Sequence, residues 1–513
     1  MGPVMVHSRG LACALVALLP LCAKNATAQD VADAGLAAHR TVSIQPRISV
    51  KETFTDNVRL ASTGAQSDAI TEIAPGISAS VQTSNLKAFL DYTASEVLYA
   101  NSAASQRVLN TLNTFGTLEA VQNWAYLDFS GSIGQQAVSA FGTQSSANTS
   151  INANQTEVST YRVSPRVQGH IGEAVNYVSH YSQTATYSSA SAAGSQVSTS
   201  DAELKFSSAH DHVGLGWWVG ANGEVANYAT TRSTRSTRVS VGLPYTFSPQ
   251  FAAALIAGSE VNNFRNDEDE RFTSSGYSFD WLPSELSKLS VRQERHSFGD
   301  THSVTFDSRS ALTAWKFSDV KEVGTATGRT VVAGSGNVYD LLYSQFAGIQ
   351  PDPLARAQLV SSYLQANGIS PSTNVTNGYL SFTQALQRRQ ELSFALLGKR
   401  DTITVVAMQS ESTNLEASAQ GGDLANGVLL KQHGINVSYA HRLTPDMSMG
   451  LAVSQSVSGS SAGQDSTMDA YKAYLTRRLS GNSIFTLEAR RVISVGLTPY
   501  TETALTCSVN IPI

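Results

Sequence analysis

Three short segments of the sequence carry side chains that could bind ions. The acidic run Asn266–Glu270 (NDEDE) could hold Ca²⁺ or bridge to lipopolysaccharide through divalent ions, and the segment His210–His212 (HDH) could bind a metal. Arg232, Arg235 and Arg238 could meet an anionic lipid or polymer. The acidic run lacks the ordered ligand spacing of a calcium loop. Solvated turns and loops are therefore the favoured interpretation of all three segments, and no metal or other cofactor is expected.

The sequence contains none of the common catalytic motifs. It has no Gly-x-Ser-x-Gly elbow, no His-Glu-x-x-His and no phosphate-binding glycine loop with Lys. The ten histidines are dispersed, and no Ser–His or Asp–His pair can be placed on one wall. We therefore expect a protein that is not an enzyme.

The first 28 residues have the three parts of a secretory signal peptide. A weakly basic start precedes an apolar run, Leu11–Leu21, and Ala26-Thr27-Ala28 fits the cleavage rule, so the mature chain is expected to cover 29–513. Cys507 is then the only cysteine left, which excludes an internal disulfide.

The composition favours a secreted β protein. Charged residues make up 15% of the chain, against about 25% in a typical soluble protein. Hydroxyl, amide and strand-forming residues take their place, and the net charge of −5 gives no reason to expect a nucleic-acid partner. An outer-membrane barrel and an extracellular β-solenoid or sandwich array both fit this composition.

Apolar and polar residues alternate along many segments, as in strands with one apolar and one wet face. Examples of residues sharing one face are Ala125, Leu127, Phe129 and Ile133; Val239, Val241, Leu243, Tyr245 and Phe247; and Leu505, Cys507, Val509, Ile511 and Ile513. The connections between these segments alternate between long and short, and no fixed repeat period is present. That rhythm is typical of a membrane barrel, with short periplasmic turns and longer outer loops. It predicts an all-β fold, an antiparallel transmembrane outer-membrane β-barrel of about 16–22 strands, with 22 as the best value.

One segment, residues 320–376, interrupts the strand pattern. It contains a predicted helix at about 352–367, in which Asp352 is the cap, Pro353 suits the first turn, and Asn367-Gly368 ends the helix. About fourteen strands are counted before this insert and about eight after it, which places the insert on the periplasmic side. We expect it to be a plug or a docking element, with Asp352, Arg356 and Tyr363 as its candidate contacts.

The polar faces of the strands are expected to line a lumen wide enough for water. The candidate lumen-lining residues are Lys87, Asp91, Asp128, Glu203, Lys205, Asp280, Arg388, Arg477 and Arg490. Thr55, Asp56 and Asn57 are expected at the outer rim of the first strand, as turn-formers whose side chains bond nearby backbone.

The N-terminal strands resemble one known family in three segments, IQPRISVKETFTDNVRLA, DAITEIAPGISASV and LKAFLDYTASEVLY. The positions that carry the resemblance are Pro46, Glu52, Thr53, Thr55, Asp56, Asn57 and Val58; Ile70, Thr71, Pro75, Gly76 and Ile77; and Asp91, Tyr92 and Tyr99. Asp352, Pro353, Ala355 and Arg356, and the hairpin Gly398–Thr402, are similar as well. The chain resembles the PEP-CTERM system-associated outer membrane proteins of Gram-negative bacteria. The resemblance implies a place in an exopolysaccharide and exosortase-linked surface system and supplies no catalytic residues.

These observations lead to one functional expectation and two alternatives. The expected function is a passive outer-membrane channel for export of exopolysaccharide or a related surface product. Its expected partners are outer-membrane lipid and lipopolysaccharide, the polymer, and a periplasmic component of the export system. The alternatives are a general porin for small solutes and a barrel that transports nothing and serves as a surface scaffold.

Overall fold

The computed structural model describes most of the chain after residue 40. The described residues are 41–102, 105–189, 196–209, 213–229, 232–325, 343, 346, 350, 353–366, 379, 380, 383–416, 422–479 and 483–513. The predicted signal peptide, Asp352 and the segment 210–212 lie outside them.

The described residues form a single antiparallel sheet of twenty-two barrel strands. In chain order the strands are β1 Thr41–Thr55, β2 Asp68–Gln82, β3 Leu86–Tyr99, β4 Arg107–Val121, β5 Ala125–Ala137, β6 Gln155–Ile171, β7 Val175–Ser188, β8 Gln196–Ser208, β9 Gly214–Leu215 with Trp218–Tyr228, β10 Thr234–Ser248, β11 Phe251–Asn262, β12 Glu270–Ser284, β13 Ser287–His296, β14 Gly299–Arg309, β15 Thr313–Thr325, β16 Gln384–Leu397, β17 Asp401–Asn414, β18 Leu429–Thr444, β19 Met447–Ser460, β20 Asp465–Arg478, β21 Ile484–Gly496 and β22 Tyr500–Pro512. Helix α1, Pro353–Ala366, lies between β15 and β16, and a 3₁₀ turn spans Ala425–Gly427.

The sheet closes on itself. β1 pairs with β22 in a continuous antiparallel register from Arg47↔Pro512 to Thr55↔Ala504. Closure pairs the two edge strands of the described sheet with each other from Arg47 to Thr55, which is what a strand protein needs in order to span a bilayer. The predicted class, an antiparallel barrel of 22 strands, is confirmed.

Strand β9 is interrupted at Gly216-Trp217, and the cause lies on the neighbouring strand. Trp218 pairs with Gly242 and Leu215 with Tyr245, so Pro244 of β10 stands opposite Gly216. Proline has no backbone N–H to donate, so one ladder bond is missing there. The Gly216 N–H still donates to the Pro244 carbonyl at 2.8 Å, and the two parts of β9 act as one barrel strand.

The two faces of the barrel wall differ in chemistry. Large apolar side chains on the outer face are widely exposed, including Leu243 (49%), Leu255 (71%) and Leu451 (52%). The inner face buries polar side chains such as Glu294 and Arg490. An apolar exterior with a polar interior is the pattern of a transmembrane barrel, and such barrels lie in the outer membrane of Gram-negative bacteria. The protein is an outer-membrane β-barrel.

The outer face also changes along the strands. On β16 the outward residues are Leu396, Phe394 and Leu392 near one end, followed by Gln390 and Arg388 toward the other. The apolar stretch suits the hydrocarbon layer, whereas the polar stretch suits water or lipid headgroups. The strands therefore project beyond the membrane at one end.

The two ends of the barrel are named here by their connections. The turn rim carries turns such as 83–85, 122–124 and 249–250, together with Thr41 and Pro512, and the loop rim carries long connections such as 56–67 and 138–154. Short turns face the periplasm in such barrels, so the turn rim is periplasmic.

The predicted position of the insert is wrong by one strand. Fifteen strands precede it and seven follow, and the last three before it are short strands of 10, 11 and 13 residues within 287–325. Both ends of the insert, at Thr325 and Gln384, consequently lie at the loop rim, where the two residues pair directly. The predicted total of 22 strands is still correct, because seven strands follow the insert and not eight.

Candidate functional site: the barrel interior

Helix α1 packs against the inner wall of the barrel. Ala357 and Val360 are fully buried and form an apolar cluster with Phe346 and with Phe89 of β3. Phe115 of β4 adds to this cluster, with its ring centroid 5.6 Å from that of Phe89. Phe89 is the fourth residue of β3 from the turn rim. The insert therefore enters at the loop rim and reaches deep into the lumen.

Two of the three predicted contact residues of the helix pack against aromatic rings of the insert. The Arg356 guanidinium lies 4.4 Å from the centroid of the Tyr343 ring, and the Tyr363 ring packs edge-on against Phe346 at 5.5 Å. Burial raises the pKa of Tyr363 to about 12. Both side chains thus help to hold the insert together and to seat it on the wall. The third predicted contact, Asp352, lies outside the described residues.

The connection 138–154 folds inward at the loop rim. Ala140 and Phe141 are buried in a cluster with Tyr379, Leu424 and Leu430. Asp423 accepts hydrogen bonds from the Ser139 hydroxyl at 2.8 Å and the Ala140 N–H at 2.6 Å.

Inward-facing tyrosines of the wall fix the same connection. Tyr99 and Tyr500 donate from their hydroxyls to the carbonyls of Thr149 and Gln144, each at 2.6 Å. A structured loop therefore narrows the outer mouth.

A second bridge crosses the loop rim. Leu380 packs in a buried cluster with Val158, Val197, Ala226 and Tyr228, which come from β6, β8 and β9. The Tyr228 hydroxyl donates to the Gln384 side-chain oxygen at 2.9 Å, and so ties the end of β9 to the start of β16. A large solute could pass this mouth only after these contacts had separated.

An open cavity of about 710 Å³ lies along the wall formed by β6 to β13. Its lining is polar and carries both charge signs, including Arg162, Asp201, Glu203, Lys205 and Arg292. His180 lies 3.3 Å from the carboxylate of Asp201 and 3.7 Å from that of Glu203. The helix occupies one side of the lumen, and this water-accessible wall forms another.

Seven of the nine predicted lumen residues face the interior. They are Lys87, Asp91, Asp128, Glu203, Lys205, Asp280 and Arg490. Glu203, Lys205 and Asp280 line the cavity. The other two carboxylates have a cation nearby, since Asp91 pairs with Arg47 at 2.7 Å and Asp128 lies 3.4 Å from Arg166.

Arg388 and Arg477 face outward, and their prediction as lumen residues is wrong. Arg388 shares its face with Leu392 and binds Asp319 through two hydrogen bonds of 3.0 and 2.7 Å. Arg477 shares its face with Tyr471 and lies 3.7 Å from Asp446 of the adjacent turn. Each belongs to an Arg-Arg pair, and neighbouring residues of a strand point to opposite faces. The sequence does not say which member of such a pair points inward.

The predicted rim residues Thr55, Asp56 and Asn57 fasten the seam between the first and last strands. Asn57 does bond nearby backbone, at Ala61, and its amide also donates to the Thr501 carbonyl at 3.0 Å. The Thr503 N–H donates to Asp56 at 2.7 Å, and Thr55 donates to Glu502 at 3.0 Å. The partners in these contacts are more than 440 residues apart in the sequence. A local sequence pattern therefore cannot predict them.

The two loops with ionic side chains pair partly with each other. Arg235 binds Asp269 at 2.9 Å, and Arg232 donates to the carbonyls of Asn263 and Phe264. Arg238 is not a loop residue, because it lies on the inner face of β10 beside Glu294. Within the described residues, no group of three or more His, Cys, Asp or Glu side chains is arranged to hold a metal ion. The same part of the chain contains no helix both long and apolar enough to cross a membrane.

Comparison with known proteins gives structural likeness alone. No family model and no curated protein matches the chain. Among solved structures, the FrpB iron transporter from Neisseria meningitidis (F5-1 variant) is similar at 10% identity, over 91% of this chain and 82% of that one, with a TM-score of 0.47. The siderophore receptor PirA from Pseudomonas aeruginosa has 9% identity, 92% and 81% coverage and a TM-score of 0.41. BauA, the ferric preacinetobactin receptor from Acinetobacter baumannii, has 9% identity, 91% and 80% coverage and a TM-score of 0.43.

Proposed function

We propose that this protein is a gated outer-membrane conduit for a hydroxyl-rich polymer, most simply an exopolysaccharide. In the resting state the insert lies in the lumen and the loop-rim contacts close the outer mouth. Export then requires helix α1 to separate from Phe89 and the wall residues around it, a contact called the seat of the helix. A periplasmic component of the export system, or the polymer pushed from the inner membrane, supplies the displacement.

The seating of helix α1 on Phe89 is the observation that carries this proposal. A barrel of 22 strands is wide enough to need an internal plug, and the buried faces of Ala357 and Val360 provide one. The apolar cluster is small, so it can hold the helix and still release it. A permanently open porin would not need a helix that packs reversibly against the wall of its lumen.

The polar wall supports the choice of cargo. Serine and threonine hydroxyls pair along the inner face, as in Thr160 with Thr186 and Thr476 with Thr486. Charged groups there are mostly paired with opposite charges, so the wall offers many hydrogen bonds and little net field. A neutral or weakly charged sugar polymer could move along it. The sequence resemblance to exopolysaccharide-linked outer-membrane proteins favours the same cargo.

A pair of neighbouring substitutions on α1 tests the gate. Val360→Asp places a carboxylate in the buried seat and should release the helix, because burying an unpaired charge is costly. Leu359→Asp is the matched control, since Leu359 is 39% exposed on the same helix. In planar bilayers we expect a several-fold rise in conductance for Val360→Asp and wild-type conductance for Leu359→Asp. Equal conductance of wild type and Val360→Asp would contradict the gate.

Loss of the gene separates the conduit from its alternatives. A conduit for polymer predicts that secretion of the polysaccharide stops while uptake of small solutes is unchanged. The reverse phenotype would point to a porin, and no change in either would point to a scaffold.

A further inference from the structure

One aromatic side chain of the cavity wall is held flat against the barrel. Trp218 of β9 lies on the inner face, directly opposite Gly242 of β10 and Ser207 of β8. A Cβ atom added at Gly242 would collide with the indole ring. The ring therefore rests on the bare backbone of β10, and only glycine permits so close an approach.

The opposite face of the indole is turned toward the cavity. Trp218 and Lys205 both line it, and the Lys205 ammonium lies 5.3 Å from the ring centroid. The face of an aromatic ring is the negative pole of its quadrupole, so it attracts cations and polarised C–H groups. The wall thus offers an aromatic platform with a flexible hydrogen-bond donor over its face, which a stacking ligand would move aside.

A row of polar side chains runs above this platform, toward the loop rim. Glu203, Asn222 and Arg238 are direct neighbours on β8, β9 and β10. Alternate residues of a strand are about 7 Å apart, so the row lies two side-chain spacings, about 14 Å, from Trp218. The row of Lys205, Gly220 and Ser240 lies between them. Glu203 and Asn222 are exposed to the lumen. Together the three side chains present acceptors and donors along one line.

We propose that Trp218 and this polar row form a saccharide-binding subsite for neutral hexopyranose units. A pyranose ring has a C–H face that stacks on an aromatic ring, and its edge carries hydroxyls that need both donors and acceptors. The indole meets the first requirement, and Lys205 supplies a donor to the stacked ring. Glu203, Asn222 and Arg238 supply acceptors and donors to units farther along the same chain. The subsite names the cargo class of the conduit and to that extent rests on the proposed function. Its position on the cavity wall lets a chain of sugars bind while the helix stays seated.

Binding of linear glucans by the full-length protein tests the subsite. Maltohexaose and cellohexaose are titrated calorimetrically into protein held in a detergent without a sugar headgroup. We expect wild type to bind at least one of the two, and Trp218→Ala to bind it at least tenfold more weakly. Trp217→Ala is the matched control, since Trp217 is the adjacent residue and points to the other face of the strand. It should bind like wild type.

A second variant keeps the subsite testable if Trp218→Ala does not fold. Gly242→Val retains the indole but removes its seat, so it too should weaken binding at least tenfold while the heat-modifiable gel shift shows a folded barrel. Wild type that binds neither glucan, or Trp218→Ala and Gly242→Val that bind as tightly as wild type, would overturn the proposal. Equal weakening by Trp217→Ala would overturn it as well. If a flat aromatic solute such as indole binds at Trp218 and the glucans do not, the saccharide assignment is wrong.

The result can be told apart from failure of the conduit. The conductance of Val360→Asp is measured without sugar. If this variant conducts more than wild type and no glucan binds, the saccharide subsite is disproved and the gate is supported. Glucan binding with no current in any variant removes the gate and leaves the subsite.

Discussion

At the scale of single residues, the wall is stabilised by ion pairs that the lumen does not solvate. Arg490 of β21 and Glu502 of β22 are both nearly fully buried, with 2.9 Å between guanidinium and carboxylate. Glu502 also accepts the hydrogen bond from Thr55, so the pair connects the last two strands to the first. Removing one partner of a buried pair leaves an uncompensated charge, which costs more than the pair itself contributes.

Glu502→Ala should therefore destabilise the barrel by roughly 3 kcal/mol, at the lower end of the cost of breaking a buried pair, because Glu488 lies 3.9 Å from Arg490 and still offsets part of its charge. Asp446→Ala, which breaks the exposed pair of Arg477 with Asp446, is the control and should have little effect. The temperature at which the folded band disappears in a heat-modifiable gel measures both. If that temperature fell equally in the two variants, burial would not determine how much the Arg490–Glu502 pair contributes to stability.

The sequence predicts correctly whether a side chain points inward or outward where one polar residue stands alone in a regular apolar–polar alternation. Asp128 and Lys205 stand alone between apolar neighbours, and both point inward as expected. Arg388 and Arg477 stand next to a second arginine, and their predicted inward direction is wrong. The sequence does not single out Trp218, because it stands beside Trp217 and the pair alone does not say which of the two indoles points inward.

At the scale of elements, α1 is the part of the insert whose position matters most. The sequence predicts a helix at about 352–367, and the structure places it at Pro353–Ala366. Which rim it enters from could not be predicted reliably, because that depends on counting every strand before it. The hairpin at Ser297-Phe298 lies at the loop rim yet is as short as a periplasmic turn, so it breaks the rhythm on which the count relied.

The seat of α1 should open at alkaline pH. Burial raises the pKa of Tyr363 to about 12, above the ordinary value of about 10 for tyrosine. A folded-state pKa above the unfolded value means that the packing contribution is complete below about pH 10 and is lost as pH rises through about 12. Channel conductance should rise in that window, and Tyr363→Phe should lack the rise. An identical pH profile for both proteins would mean that Tyr363 does not control the seat.

At the scale of the whole molecule, one chain builds a membrane-spanning wall, an outer projection and a helix packed inside the barrel. The wall was predictable, because alternation and loop rhythm are local signals repeated many times. The seam through Asn57, the bridge from Tyr228 to Gln384 and the seat of α1 on Phe89 were not, because each joins residues far apart in sequence. In the proposed gated conduit, these long-range contacts maintain the closed state.

Deletion of the insert tests the closed state most directly. Thr325 and Gln384 are paired neighbours at the loop rim, so residues 327–377 can be replaced by a short Gly-Ser linker without altering the barrel register. Single-channel conductance is then compared between wild type and the deletion protein in planar bilayers. We predict a nearly closed wild type and a large, steady conductance for the deletion protein. A wild type that conducts as much as the deletion protein would contradict the plug and, with it, the gated conduit.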